Sequence, residues 1–195
     1  MISENLLEEF GAKEVLLVTN EIIFSEGQSA RFYYQVKQGG VKMYNLNENG
    51  KEFVQGLFYE GDSFGEPPLF GDFKYPAGAA AIKESILYKL EKEQLFLLLK
   101  EHFEIHLKLT GTLSKRLSYK SMILQEISVH PPEHRILTFI DFLKKKEKGT
   151  SPFAVDLTRQ QLADLTGLRV ETVIRAVKQL ELAGEIELIN RKVYR

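Results

Sequence analysis

Leu157-Thr158-Arg159-Gln160-Gln161-Leu162-Ala163-Asp164-Leu165-Thr166-Gly167-Leu168-Arg169-Val170-Glu171-Thr172-Val173-Ile174-Arg175-Ala176-Val177-Lys178-Gln179-Leu180 is the stretch on which the fold of this chain turns. Leu162, Ala163 and Leu165 predict the apolar face of a short helix, and Gly167 breaks it where the chain must turn. Val173, Ala176, Val177 and Leu180 recur at helical spacing and predict the buried face of a second helix. Glu171 and Arg175 are one helical turn apart and project from the same face. An arginine can bond bidentately to guanine, and a carboxylate can accept from the cytosine amino group. A helix packed on its back and carrying such a pair on its front suits a DNA major groove. The alternative is a helical hairpin with a surface ion pair.

The flanks favour the first reading. Thr158 is placed to cap the first helix, with Gln161 three residues on as in a capping box. Arg159 and Arg169 lie near the two helix starts, where a phosphate backbone would pass. After Gly184, Ile186 and Leu188 and then Val193 predict two short strands around Asn190-Arg191-Lys192. The pattern is a helix-turn-helix followed by a wing.

The 195 residues allow one large or two small domains, and 44% hydrophobic content supports a true core. The chain has no apolar run of about 18 residues, so no transmembrane helix is expected. Met1-Ile2-Ser3-Glu4-Asn5 lacks a signal-peptide pattern, and a cytoplasmic location is expected. The chain has no cysteine. That excludes disulfides, thiolate metal sites, cysteine-ligated iron–sulfur clusters and cysteine nucleophiles. Residues 1–129 carry 14 Lys/Arg against 18 Asp/Glu, and residues 130–195 carry 12 against 9. The basic C-terminal third suits a polyanion, although Lys144-Lys145-Lys146 supplies much of the excess.

Upstream, Leu6, Leu7 and Phe10 predict a short leading helix. From Val15 to about Leu90, turn signals punctuate aromatic and β-branched segments. They are Glu26-Gly27, Gln38-Gly39-Gly40, Asn47-Glu48-Asn49-Gly50, Glu60-Gly61-Asp62 and Phe70-Gly71-Asp72, with Asn49-Gly50 a hairpin signal. This is the pattern of an antiparallel sandwich or barrel. Beyond Glu91 it becomes helical, with Leu95, Leu98 and Leu99 on one helix. A longer helix is predicted from about Glu104 to Ser128. Its stripe of Leu109, Leu113, Leu117, Ile123, Leu124 and Ile127 is expected to pack against a second copy of the chain. The alternative is packing on its own sheet. Val129-His130-Pro131-Pro132-Glu133 ends the helix, and Ile136, Leu137, Phe139, Ile140 and Leu143 begin another.

This order of parts resembles the cyclic-AMP receptor protein and fumarate–nitrate reduction regulator (CRP/FNR) family over nearly the whole chain. The most specific matches are Leu157 to Ala163 and Gly167 to Arg175. Gly61-Asp62-Ser63-Phe64-Gly65-Glu66 is similar to the family's sensor-pocket entrance, Lys115-Arg116-Leu117 to its dimer helix, and Arg135 to the Arg opening its DNA-binding domain. The implied fold is α+β. It has an N-terminal antiparallel β-roll (a double-stranded β-helix or jelly roll) over residues 1–100 and a dimerisation helix over 101–130. A winged helix-turn-helix follows over 131–195.

The resemblance implies a homodimeric transcription regulator, not an enzyme, that binds double-stranded DNA and works with RNA polymerase. Glu171, Arg175 and Val170 would meet base edges, and Val170 places the motif nearer the oxygen-sensing branch than the cyclic-AMP branch. Thr158, Arg159, Arg169 and Thr172 would meet the DNA backbone. The implied effector pocket comprises Gly65, Glu66, Pro76, Ala77, Lys120 and Ser121. Gly65-Glu66 agrees with the nucleotide-binding pattern. Pro76-Ala77, however, stands where that branch has the Arg-Ser pair that takes the cyclic phosphate, and Lys120-Ser121 replaces a Thr-Ser pair. Without the arginine a buried phosphate would lack its main countercharge. Cyclic AMP is therefore not the expected ligand; Lys74 is the nearest substitute cation, and Glu66 could instead cap a turn. The effector is an unidentified small molecule, with haem left open and no metal site expected. His102 and His106, four apart, lack a third ligand. A different reading is a small-ligand-binding module whose C-terminal domain contacts protein.

Overall fold

The structure, a computed structural model, describes residues 1–48, 50, 52–146 and 152–195, apart from the side chains of Ile127, Ser128 and Lys146. The Asn49 half of the Asn49-Gly50 hairpin signal lies outside the described residues. By internal contact the chain divides into Met1–Leu117 and Ser118–Arg195.

The first unit opens with α1 (Glu4–Glu9), followed by β1 (Lys13–Leu17), β2 (Ile22–Phe24), β3 (Phe32–Gln38), β4 (Gly40–Leu46), β5 (Glu52–Tyr59) and β6 (Ser63–Phe64). It continues through α2 (Pro67–Gly71), β7 (Gly78–Ala81), β8 (Ser85–Glu91), α3 (Lys92–Glu101) and into α4 (Phe103–Val129). Two antiparallel sheets form, in the orders β1-β8-β3-β6 and β2-β7-β4-β5. Between them lie Leu17, Phe24, Tyr34, Val36, Val41, Phe64, Tyr75, Ala79, Ala81 and Leu87. Alternation along β3 and β7 is blurred, because these central strands are buried on both faces. The outer face of the first sheet carries Tyr33, Tyr88 and Leu90, which pack with Leu7, Phe10, Leu95, Leu98 and Leu99. The roll is thus the expected one, and its helices cover a second, separate core.

The second unit holds the last part of α4, then α5 (Pro132–Lys146), β9 (Ala154–Val155), α6 (Arg159–Thr166), α7 (Val170–Leu182), β10 (Glu187–Ile189) and β11 (Lys192–Tyr194). Proline explains the break between α4 and α5. Pro131 cannot donate to the preceding turn and forces His130 out of the helical region. Ile136, Phe139 and Ile140 of α5 meet Leu162 and Ala163 of α6 and Val173, Ala176, Val177 and Leu180 of α7 in one core. The wing is a three-stranded sheet in the order β10-β11-β9. Its third strand, Ala154–Val155, is too short to show a periodic signal.

Candidate functional site

The turn between α6 and α7 is built from local chemistry. Thr158 caps α6: Gln161 N–H donates to its hydroxyl at 3.1 Å, and its own N–H donates to Gln161 Oε1 at 2.8 Å. The capping box is complete. Gly167 ends the helix at φ +68°, a left-handed conformation that glycine adopts without steric cost. The Leu168 N–H then returns to the Ala163 carbonyl at 3.0 Å, and Ala163 is fully buried, as a close helix crossing requires.

α7 presents Glu171, Ile174, Arg175 and Lys178 to solvent, while Val173, Ala176, Val177 and Leu180 are buried. Glu171 lies in its first turn, where the helix dipole favours a negative charge. Arg169 is the exposed N-cap residue of α7. Val170, expected to meet base edges, is half-buried and packs against the second unit's core, because one and two helical turns on lie the buried Val173 and Val177. Thr172 is half-buried. Arg159 is also half-buried, and its Nη2 donates to the Arg191 carbonyl at 3.3 Å, which ties α6 to the wing tip. Burial lowers its pKa from the usual arginine value.

Asn190 and Arg191 both have positive φ, 50° and 66°, as the two central residues of a type I′ hairpin turn require. The tip carries exposed Arg191 and Lys192. These two and the exposed Lys178 are cations that a reading confined to the helix motif left out of the site. The step from Glu171 and Arg175 to residue 178 at helical spacing was the available signal. Arg195 anchors the wing: it donates to Asp141 of α5 at 2.8 Å and to Glu185 at 2.9 Å.

In the roll, Gly65 takes φ +73°, and a Cβ there would meet the Phe24 and Tyr75 rings at 3.1–3.3 Å. Phe24 stacks on Tyr75 with centroids 3.7 Å apart and contacts Tyr34 at 5.8 Å, while Tyr34 stacks on Phe64 at 5.5 Å. Burial pushes the Tyr34 phenol up to about 12. Glu66 is buried, 1% exposed. Its partner is Arg116 of α4, whose Nη1 lies 3.0 and 3.1 Å from the two carboxylate oxygens. Arg116 Nη2 donates to the Ser63 carbonyl at 2.7 Å, and the Ser63 hydroxyl donates to Glu66. The Arg116 guanidinium also faces the Phe58 ring at 5.2 Å. The sequence reading placed Arg116 only as part of a dimer-helix match, because a partner fifty residues away leaves no periodic trace.

The other residues of the expected effector pocket differ in exposure. Pro76 is exposed, and its carbonyl accepts from Asn45 Nδ2 at 2.7 Å. Ala77 is buried. Lys120 and Ser121 are exposed on the part of α4 that belongs to the second unit. Lys74 is exposed, with its backbone bridged to Ser29.

The expected dimer stripe also needs correction. Leu109 is 1% exposed and Leu113 is half-buried, both packed in the roll's outer core. Ile123 packs on the second unit's core, and the Ile127 side chain lies outside the described residues. Leu117 and Leu124 are exposed at 68% and 66%. They belong to a different face, Phe103, Leu107, Thr110, Ser114, Leu117, Ser121 and Leu124, which is exposed throughout. Its spacing alternates four and three, a heptad seam. Leu109, Leu113 and Leu117 recur every fourth residue and so drift round a helix of 3.6 residues per turn, which carried the expected stripe across two faces.

A jelly roll joined through a long helix to a winged helix-turn-helix defines a DNA-binding transcription regulator with a cyclic-nucleotide-binding-like sensor. Residues 14–102 match the cyclic nucleotide-binding domain family and residues 134–195 the Crp-like helix-turn-helix domain. The chain belongs to the CRP/FNR family of transcriptional regulators and is not an enzyme. It is 25% identical over 177 residues to the fumarate and nitrate reduction regulatory protein of Salmonella typhi, covering 89% of this chain and 70% of that one. The protein of the same name from Escherichia coli K12 is 24% identical over the same span and coverage. A CooA mutant from Carboxydothermus hydrogenoformans has the same fold, with a TM-score of 0.81 at 17% identity, covering 100% of this chain and 86% of that one. So does the c-di-GMP responsive global regulator CLP of Xanthomonas campestris, with a TM-score of 0.79 at 23% identity and 98% of each chain covered.

Proposed function

We propose that the chain acts as a homodimer that reads a palindromic DNA site with α7, its signal received in the roll. The observation that carries this is the outward face of α7. Glu171 and Arg175 stand clear of the core on a helix whose back is fully packed. In this reading Arg175 takes a guanine edge and Glu171 the cytosine amino group. Arg169, Lys178, Arg191 and the cap at Thr158, with Arg159 and Thr172 beside them, follow the phosphates. Half-sites would lie one helical turn apart, about 34–36 Å, and RNA polymerase is the expected downstream partner. Among the described residues no helix is long and apolar enough to cross a membrane. A gel shift with duplex DNA over a salt series tests the reading. Affinity should fall linearly with salt on logarithmic axes, the slope counting phosphate contacts. No shift at low salt would overturn it in favour of a ligand-binding module whose C-terminal domain contacts protein.

The dimer seam is the exposed face containing Leu117 and Leu124. Leu117→Glu with Leu124→Glu places like charges opposite each other in a parallel pair. The double variant should sediment as a monomer in analytical ultracentrifugation and bind the full palindrome at least about tenfold more weakly, since one half-site is lost. A double variant that stays dimeric would assign the interface elsewhere.

Cyclic AMP is not the signal in this reading. Glu66 already holds the Arg116 guanidinium, Pro76 is exposed on a loop, and aromatic rings occupy the space between the sheets. A calorimetric titration with cyclic AMP should show no binding heat; saturable binding would overturn this. The shared fold does not name the effector, since the c-di-GMP responsive regulator has it as well.

A further inference from the structure

We propose that Glu126, His130 and His134 form a binding site for a divalent transition-metal ion of the zinc or cobalt kind, which ties the end of α4 to the start of α5. Ligand atoms from the three side chains lie within 4.8 Å of one another. Glu126 Oε2 is 2.7 Å from His134 Nδ1, and the His130 and His134 rings stack with centroids 3.9 Å apart. The residues follow at intervals of four, but His134 belongs to the next helix. It is the His130-Pro131 turn that keeps all three together across the break.

The donor set fits such an ion. Two imidazoles and one carboxylate suit borderline cations, and three protein ligands leave a fourth position for water. A tetrahedral ion with bonds of about 2.0–2.1 Å spaces its donors about 3.3 Å apart. The Glu126–His134 pair stands at 2.7 Å and all three donors lie within 4.8 Å of one another, so modest rotation of the side chains about their own bonds brings them to that spacing. Glu126 is 8% exposed and is one of two buried carboxylates among the described residues. The other, Glu66, has a full guanidinium partner, whereas Glu126 faces imidazoles. His130 is half-buried and His134 exposed, so the cluster opens to solvent.

Two other polar groups face it. Thr138 Oγ1 lies 3.4 Å from His134 Nδ1. Arg135 lines a small hollow with Ile123, Glu126 and Thr166, and its Nε donates to the His130 carbonyl at 2.9 Å. The arginine charge opposes a cation, which leaves the imidazoles as the principal ligands. It also fixes the backbone from which His130 projects. His102 and His106 do not make an equivalent site, since His102 is turned edge-on to Phe10 with centroids 5.8 Å apart.

The test uses the full-length chain stripped with a chelator and titrated with Zn2+ or Co2+ at neutral pH, without DNA. One ion should bind per chain, with a visible d–d band for Co2+ of low coordination number, and the thermal midpoint should rise with free metal. His134→Ala and Glu126→Gln should each weaken binding by about tenfold or more, and His106→Gln should leave it unchanged. His134→Cys should restore binding and add a thiolate-to-cobalt charge-transfer band, which separates lost ligation from lost folding. No uptake of either ion, or uptake undiminished in His134→Ala and Glu126→Gln, would overturn the proposal. Because DNA is absent, either failure leaves the DNA-binding reading intact.

Discussion

Replacing Arg116 by methionine is expected to destabilise the roll by about 3–5 kcal/mol, because it strands a buried carboxylate without its cation. Glu66 has 1% of its surface exposed, so water cannot take over the solvation that Arg116 provides. The Arg116 side chain is 28% exposed, which puts the expectation at the lower end of that range. Methionine keeps much of the aliphatic stem, so the loss reports charge and hydrogen bonding rather than packing. Denaturant unfolding followed by tyrosine fluorescence reads the change. Adding Glu66→Gln to Arg116→Met should recover a large part of it, since a neutral amide still accepts from Ser63 and leaves no unpaired charge. An Arg116→Met variant within about 0.5 kcal/mol of the parent, the range of ordinary surface substitutions, would show that the pair contributes little. The pair joins the Ser63–Glu66 turn of the sensor to α4, so the same variant shows whether that turn stays ordered without its tether.

Arg175→Ala is expected to cost about 1–3 kcal/mol of binding to the preferred palindrome and to relax one base position in each half-site. Arg175 is exposed on α7 and its guanidinium fork matches the two acceptors of a guanine edge. Lys178→Ala is the contrast. A phosphate contact is lost equally on every sequence, so affinity should fall uniformly and the salt slope by about 1. Site selection from a randomised duplex pool, with each variant, separates the two. If Arg175→Ala selected the same bases with the same affinity, α7 would not be reading them through this residue. Val170, tucked against the core, is expected to contribute to the position of α7 rather than to base contact.

Much of the fold was legible because it is local. The capping box at Thr158, the left-handed Gly167 and the Pro131 break each depend on a few adjacent residues, and each stands where the spacing put it. The wing turn at Asn190-Arg191 was equally local. Leu109 was misassigned for the opposite reason. A leucine on a long helix looks the same whether it faces its own sheet or a second chain, and only packing tells them apart. The seam through Phe103, Leu107, Leu117 and Leu124 became visible once the roll and the second core had claimed the other leucines.

The candidate sites divide along the same line. Glu171 and Arg175 could be read directly, since helical periodicity alone sets them on one face. Arg116 beside Glu66, and Glu126 beside His134, could not. The first pair joins a strand-end turn to a helix fifty residues away, and the second spans two helices whose relation depends on a proline turn. Hydrophobic periodicity, turn residues and caps act through neighbours in the chain, so the main elements, the family and the helix-turn-helix were legible from residue spacing alone. Ion pairs, ligand clusters and interface faces are set by the path of the backbone through space. Which charge Glu66 meets, which leucines remain outside, and the convergence of two histidines and a glutamate at the Pro131 turn all follow from that path.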